Sequence, residues 1–246
     1  MKLKLVYSLF FLLLLLACNP SFVKLKEEVN HFTIKESKES DRANKIISAY
    51  KANLDSETQK VIAIASDVLT KDKDQNPLGN FVCDALNFVG QKQFLSEEIN
   101  LIIVNRGGLR NNLPKGEIRV LNIFELMPFD NEMVLVQIKG DKLLDGLKTI
   151  LEKKHSFFGI ELTVKNGVII ESSINGNPID KSKTYSVVTS DYIANGGDSF
   201  NFLKNPIAIR ASGTKIRDAI IEYCIELNKN GKQIIPYTDE RLKISK

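Results

Sequence analysis

Two short stretches carry side chains whose types and spacing suit chemistry. In LIIVNRGGLR, Leu101 to Arg110, four apolar residues are followed by the amide of Asn105, a glycine pair and two arginines. In DYIANGGDSF, Asp191 to Phe200, a second glycine pair, Gly196 and Gly197, is flanked by Tyr192 and Asp198. Taken together, Asn105, Arg110, Tyr192 and Asp198 form a set for a polar ligand with a flat ring. The guanidinium would take anionic oxygens, the carboxylate hydroxyls and the aromatic ring a stacking face. Phe129, on a loop after Pro128, offers a second face. A plainer alternative stays open on these residues alone: two tight turns, solvated arginines, a capping Asp198 and aromatics that belong to the core.

The elements that must position this set are legible from periodicity. Leu101 to Val104 is too short for a core helix and reads as a strand buried on both faces. Gly107 and Gly108 beyond it permit positive φ and let backbone N–H groups approach a ligand. Val61 to Leu69 reads as the first strand of the folded body, and Phe81, Ala85, Phe88 and Val89 fall at helical spacing, with Asn80 as a candidate N-cap. Asp84 in that helix reads as a solvated or dipole-favoured acid. Gly116 to Val120 predicts a short strand and Leu121 onward a helix stopped by Pro128.

Val134 to Gly140 alternates as a half-buried strand, and Asp141 is placed to cap a helix over Lys142 to Lys153, with His155 as a C-terminal capping residue. Strands then follow over Ile160 to Val164, Val168 to Ile174 and Tyr185 to Ser190, the first two joined by an Asn166-Gly167 hairpin turn. A helix over Lys215 to Asn228 and a closing strand through Arg241 to Ile244 complete an α+β chain with mixed sheets.

Composition fits an ordinary globular body, with 43% hydrophobic and 26% charged residues in 246. Residues 1 to 17 have the pattern of a secretory signal, with Lys2 and Lys4 before an apolar run that ends at Ala17-Cys18. The ending resembles a bacterial lipobox, which implies Cys18 as the lipidated first residue of an exported, membrane-tethered chain. Removing Lys2 and Lys4 lowers the net charge from +4 to +2, too weak to argue for nucleic acid. Residues 18 to 58 read as a polar tether, with a short helix around Ile46 to Leu54, and residues 59 to 246 as the folded domain. Cys83 and Cys224 fall in apolar helical stretches and are open to either pairing or burial as thiols.

From about Val61 onward the chain resembles the C-terminal, substrate-binding domain of the 5′-nucleotidase family. The segments GNFVCDA, IIVNRGGLR, LMPFDNEMVLVQIKG, SDYIANGGDSF and IPYTDERLKIS occur in the family's order over roughly three quarters of the sequence. The resemblance implies that Phe129 and Tyr192 stack a nucleobase, that Asp198 holds the ribose, and that Asn105 and Arg110 serve the amide and phosphate-side roles. One departure lies upstream of Gly79, where relatives often carry a further arginine and this chain has Lys71, Asp72, Lys73 and Asp74.

The same family places two metal ions on a separate metallophosphoesterase domain. Such a dinuclear site needs several histidines and carboxylates, and only His31 and His155 occur here. No catalytic residue and no metal ligand is therefore expected in this chain. The expected arrangement is a lipoprotein holding a nucleoside or nucleoside phosphate, with a separately encoded metallophosphoesterase supplying the dimetal centre. The competing expectation is a non-catalytic nucleoside-binding or scaffold lipoprotein.

Overall fold

The computed structural model describes residues 40–71 and 76–245. The expected signal segment, Cys18, His31, most of the tether, and Asp72, Lys73 and Asp74 lie outside the described residues. Helix α1, Asp41–Thr58, is longer than the segment expected around Ile46. The elements from Val61 onward belong to one unit, residues 46–246.

Strand β1 (Val61–Ala65) leads to helix α2 (Pro77–Gln93), strand β2 (Leu101–Val104) and strand β3 (Gly116–Arg119). The order continues with α3 (Val120–Leu126), β4 (Glu132–Lys139), α4 (Gly140–Glu152), β5 (Ser156–Phe158), β6 (Glu161–Lys165), β7 (Val168–Ile174) and β8 (Asn177–Pro178). It closes with β9 (Thr184–Ser190), the short α5 (Asp191–Ala194), β10 (Ala208–Lys215), α6 (Ile216–Lys229) and β11 (Leu242–Ser245). The architecture is α+β with mixed sheets, as the sequence predicts.

A five-stranded sheet, ordered β10-β4-β9-β2-β5, forms the middle layer. Its inner strands β4, β9 and β2 are buried on both faces because their residues feed two cores alternately, whereas the edge strand β10 is largely exposed. In β2, Ile102 and Val104 point into one core and Leu101 and Ile103 into the other. The first core holds α2, α3, α6 and the small β1-β3 sheet. The second holds α4 and the inner residues of the β11-β6-β7-β8 sheet, among them Leu162 and Ile174.

Several local expectations are corrected. Strand β4 is not half-buried: it lies between β10 and β9, and its polar member Gln137 donates to Glu97 at 3.0 Å. The cap of α2 is Asn76 rather than Asn80, because Pro77 takes the first helical turn and the Asn76 side chain accepts from the Gly79 N–H at 2.5 Å. Asn80 lies inside the helix and donates to the Tyr237 carbonyl. Helix α4 begins at Gly140 with Lys139 at its cap position, so Asp141 sits in the first turn instead. Strands β5, β8 and β10 are additional to the sequence reading.

The tail is fastened by charge. Arg241, 6% exposed, donates to Asp239, to the Phe157 carbonyl and to the Tyr237 hydroxyl. Tyr237 in turn donates to Asp84 at 2.7 Å, so Asp84 is a buried-side anchor for the tail and not a solvated acid. Burial pushes the Asp84 carboxyl above the usual range, against the Tyr237 bond and the Arg241 charge. Cys83 and Cys224 are buried free thiols, and burial pushes Cys224 up to about 12.

Candidate functional site

Strands β2 and β9 are parallel neighbours, with Leu101 opposite Val187 and Ile102 opposite Val188. Their C-terminal ends therefore emerge side by side, and the two glycine-pair loops must meet. Strand β4 runs antiparallel to β9 with Met133 opposite Ser190, so the loop entering β4, which carries Phe129, arrives at that same sheet end. Three segments far apart in sequence are thus brought together by strand direction alone.

All five residues singled out from the sequence line one cavity of about 400 Å³ there: Asn105, Arg110, Phe129, Tyr192 and Asp198. That volume lies in the range of small-ligand pockets, roughly 300–1,000 Å³. Met127, Asn131, Ser190 and Ile216 complete much of the wall, and the sequence carried no signal that set them apart.

Asp198 is the hub. Its Oδ2 accepts from the Asn105 amide at 2.5 Å and its Oδ1 from the Tyr192 hydroxyl at 3.1 Å. The Asn105 bond first, then the Tyr192 bond, outweigh partial burial and hold its carboxyl below the usual range, so it is ionised at neutral pH. A carboxylate has about four lone-pair positions, so the two bonds leave acceptor capacity for ligand hydroxyls. Asp198 adopts φ 49°, the left-handed region that aspartate tolerates better than most residues.

The glycines serve close approach. Neither Gly107 nor Gly108 has positive φ, contrary to the sequence expectation. A Cβ on Gly108 would lie 2.6 Å from Asn105 Oδ1, and one on Gly107 would lie 3.1 Å from Asp198 Oδ2. Gly196 does take φ 87°, and a Cβ on Gly197 would meet three consecutive ring atoms of Tyr192 at 2.5 to 2.7 Å. Near-equal distances to three neighbours place that backbone against the ring face. Tyr192 is 47% exposed and lines the cavity.

Phe129 is half-buried, and the Arg110 guanidinium lies 5.0 Å from its ring centroid. Its loop is held from α6. Arg217 donates to the Phe129 carbonyl at 3.4 Å and to Asp130 at 2.7 Å, while Lys215 reaches Asp130 at 3.1 Å. The Arg217 and then the Lys215 hydrogen bonds hold the Asp130 carboxyl below its usual range. Lys71, the cation upstream of Gly79, donates to the Leu109 carbonyl beside Arg110.

His155 was expected as a helix cap. Its main-chain N–H does bond the Ile150 carbonyl at 2.9 Å, but its ring packs behind the first loop, where Nδ1 accepts from the Arg106 N–H at 3.1 Å. Among the described residues no three His, Cys, Asp or Glu side chains form a group that could hold a metal ion. With its Nδ1 lone pair engaged and its ring buried, His155 does not fit a metal-ligand role. Among the described residues no helix is long and apolar enough to cross a membrane.

The family described as 5′-nucleotidase, C-terminal domain, matches residues 55–205. The chain is 28% identical to Protein UshA of Escherichia coli over 109 residues, 42% of this chain and 20% of that protein. It is 26% identical to the 5′-nucleotidase of Mus musculus over 195 residues, 68% of this chain and 33% of that one. The crystal structure of a 5′-nucleotidase precursor from Thermus thermophilus superposes with TM-score 0.69 and 24% identity, over 82% of this chain and 43% of that one. The chain thus spans between a fifth and a third of these curated relatives, and it belongs to the 5′-nucleotidase C-terminal domain family.

Proposed function

We propose that this member of the 5′-nucleotidase C-terminal domain family holds a nucleoside or nucleoside phosphate for a phosphatase whose metal centre lies on a separately encoded metallophosphoesterase. In this reading Phe129 and Tyr192 flank the base, Asp198 accepts from the ribose hydroxyls, Asn105 orients Asp198, and Arg110 faces the phosphate side. The observation that carries the reading is the convergence of these five side chains on one cavity, with an ionised Asp198 at its centre. The first-stretch Arg110 adds a cation that no described carboxylate neutralises, which suits an anionic oxygen.

Bond cleavage is assigned to the partner because a dinuclear site needs a histidine-rich ligand set, and the 246 residues contain two histidines. Export and attachment through lipidated Cys18 belong to the same proposal and would keep both chains on one membrane surface.

The test is reconstitution with an exported metallophosphoesterase that lacks its own nucleoside-binding domain. Phosphate release from AMP should require both chains and fall at least tenfold with Asp198→Ala or Tyr192→Ala. A complex that forms and works equally well with those variants would replace the split-enzyme reading by a scaffold.

A further inference from the structure

His155 stands between the two loops that build the cavity. Its Nδ1 accepts from the Arg106 N–H of the first loop at 3.1 Å. Its ring stacks on Phe200, the residue that closes the second loop, with centroids 4.5 Å apart and planes at 27°. Phe200 is locked to that loop, because its N–H donates to the Gly197 carbonyl at 3.0 Å. His155 as a whole is 6% exposed, so water has little access to these contacts. An accepting Nδ1 requires the neutral tautomer with its proton on Nε2, and the Asp198 main chain lies within reach of this ring.

We propose that His155 is a positioning residue for the ligand cavity: as a neutral ring it couples the Arg106 segment to the Asp198 turn, and its protonation uncouples them and weakens ligand binding. The proposal rests on the nucleoside-binding reading above. A protonated Nδ1 would turn a donor toward the Arg106 N–H, leaving two buried donors facing each other. Asn105 and Gly107, which flank that N–H and both lie against Asp198, would lose the strut that sets their distance from it.

The charged groups facing the ring come from every element around it. Asp198 lies on the second loop, Lys153 at the end of α4, and Arg106 on the first loop. Across a small polar cavity lies Arg241, bonded to Asp239 and 3.9 Å from Asp84. Burial dominates and pushes the His155 ring down to about 4, with Asp198 opposing and Lys153 assisting. Asp198 is itself held below the usual carboxylate range, chiefly by its bond from Asn105.

The experiment is calorimetric titration of adenosine into the full chain between pH 8 and pH 4, with His155→Asn and His155→Phe beside it. Asparagine keeps an acceptor near the Nδ1 position and cannot titrate; phenylalanine keeps the stacking and removes the acceptor. Wild-type affinity should hold constant to about pH 5 and fall about twofold by pH 4, where the ring is half protonated and the protonated half binds about tenfold more weakly for want of one hydrogen bond. H155N should bind like wild type at pH 7 and lack the acid fall, whereas H155F should bind about tenfold more weakly throughout.

An acid fall unchanged in H155N, or full affinity in H155F, would overturn the proposal. Should the wild-type chain bind no adenosine, the nucleoside reading fails on its own, and amide NMR still decides the role of His155. The Arg106 and Asp198 amide signals must then move together with the titration of the His155 ring. Independent movement would overturn the coupling.

Discussion

Asn105 and Asp198 are joined side chain to side chain across 93 residues of sequence, the Asn105 amide donating to Asp198 Oδ2 at 2.5 Å. One bond therefore ties the loop after β2 to the loop after β9 and fixes the carboxylate at the centre of the cavity. Its partners also explain why the loops need glycine, since Gly107 and Gly108 leave no room for a Cβ beside it.

Asn105→Asp places two carboxylates at this contact. Repulsion should raise the Asp198 carboxyl, break the tie and lower adenosine affinity at pH 7 by tenfold or more. Calorimetry at pH 7 and pH 5 measures it, and partial recovery at the lower pH identifies charge as the cause.

Gly108→Ala drives a methyl group to 2.6 Å from Asn105 Oδ1. Its cost in stability should be about 1–3 kcal/mol, as for overpacking elsewhere, while ligand binding is lost. Gly116→Ala is the contrast: φ is 93° there and nothing lies within 4 Å, so it should strain the backbone and leave binding intact. Urea unfolding and calorimetry on the same samples separate the two effects.

Arg241→Ala removes the guanidinium that holds Asp239, Tyr237 and the Phe157 carbonyl. Breaking so buried a network should cost about 3 kcal/mol of stability. Tyr237→Phe, which leaves Asp84 without its hydroxyl donor, should cost about 1–2 kcal/mol. Denaturant midpoints at pH 7 give both values.

Acid should destabilise the wild-type chain relative to His155→Asn. The unfolded ring takes its proton near 6.5 and the folded one near about 4, so the unfolded state binds more protons between those values. Stability is full above pH 6.5 and falls as pH drops through the window, by about 3 kcal/mol at its end. Asp84, pushed up mainly by burial, titrates with the opposite sign in both proteins and cancels in the difference. Urea unfolding at half-unit pH steps reads the difference directly.

What the sequence discloses depends on whether the determining contact is local. Four consecutive apolar residues made Leu101–Val104 legible, and Asn166-Gly167, with φ 50° and 75°, announced its hairpin turn. Strand β4 misled because its polar Gln137 mimics an exposed position while being met by Glu97 from the segment beyond α2. Strand β10 escaped notice as an edge strand: much of AIRASGTK is exposed and carries no apolar alternation. Asn76 before Pro77 is a local cap signal, and Asn80, inside the helix, has the same side-chain chemistry without the cap position.

The five site residues stood out because two glycine-pair loops after strands carried Asn105, Arg110, Tyr192 and Asp198, and Phe129 lay on a loop after Pro128. His155 and Arg217 did not, since each acts through a partner 49 or 88 residues away.

The central claim is that the cavity between the two glycine-pair loops binds a nucleoside through Asp198. Calorimetric titration of adenosine into the purified chain at pH 7, with Asp198→Asn beside it, tests it most directly. Saturable one-to-one binding in the wild type and a loss of at least tenfold in D198N is the predicted result; equal binding by both proteins, or none by the wild type, would contradict it.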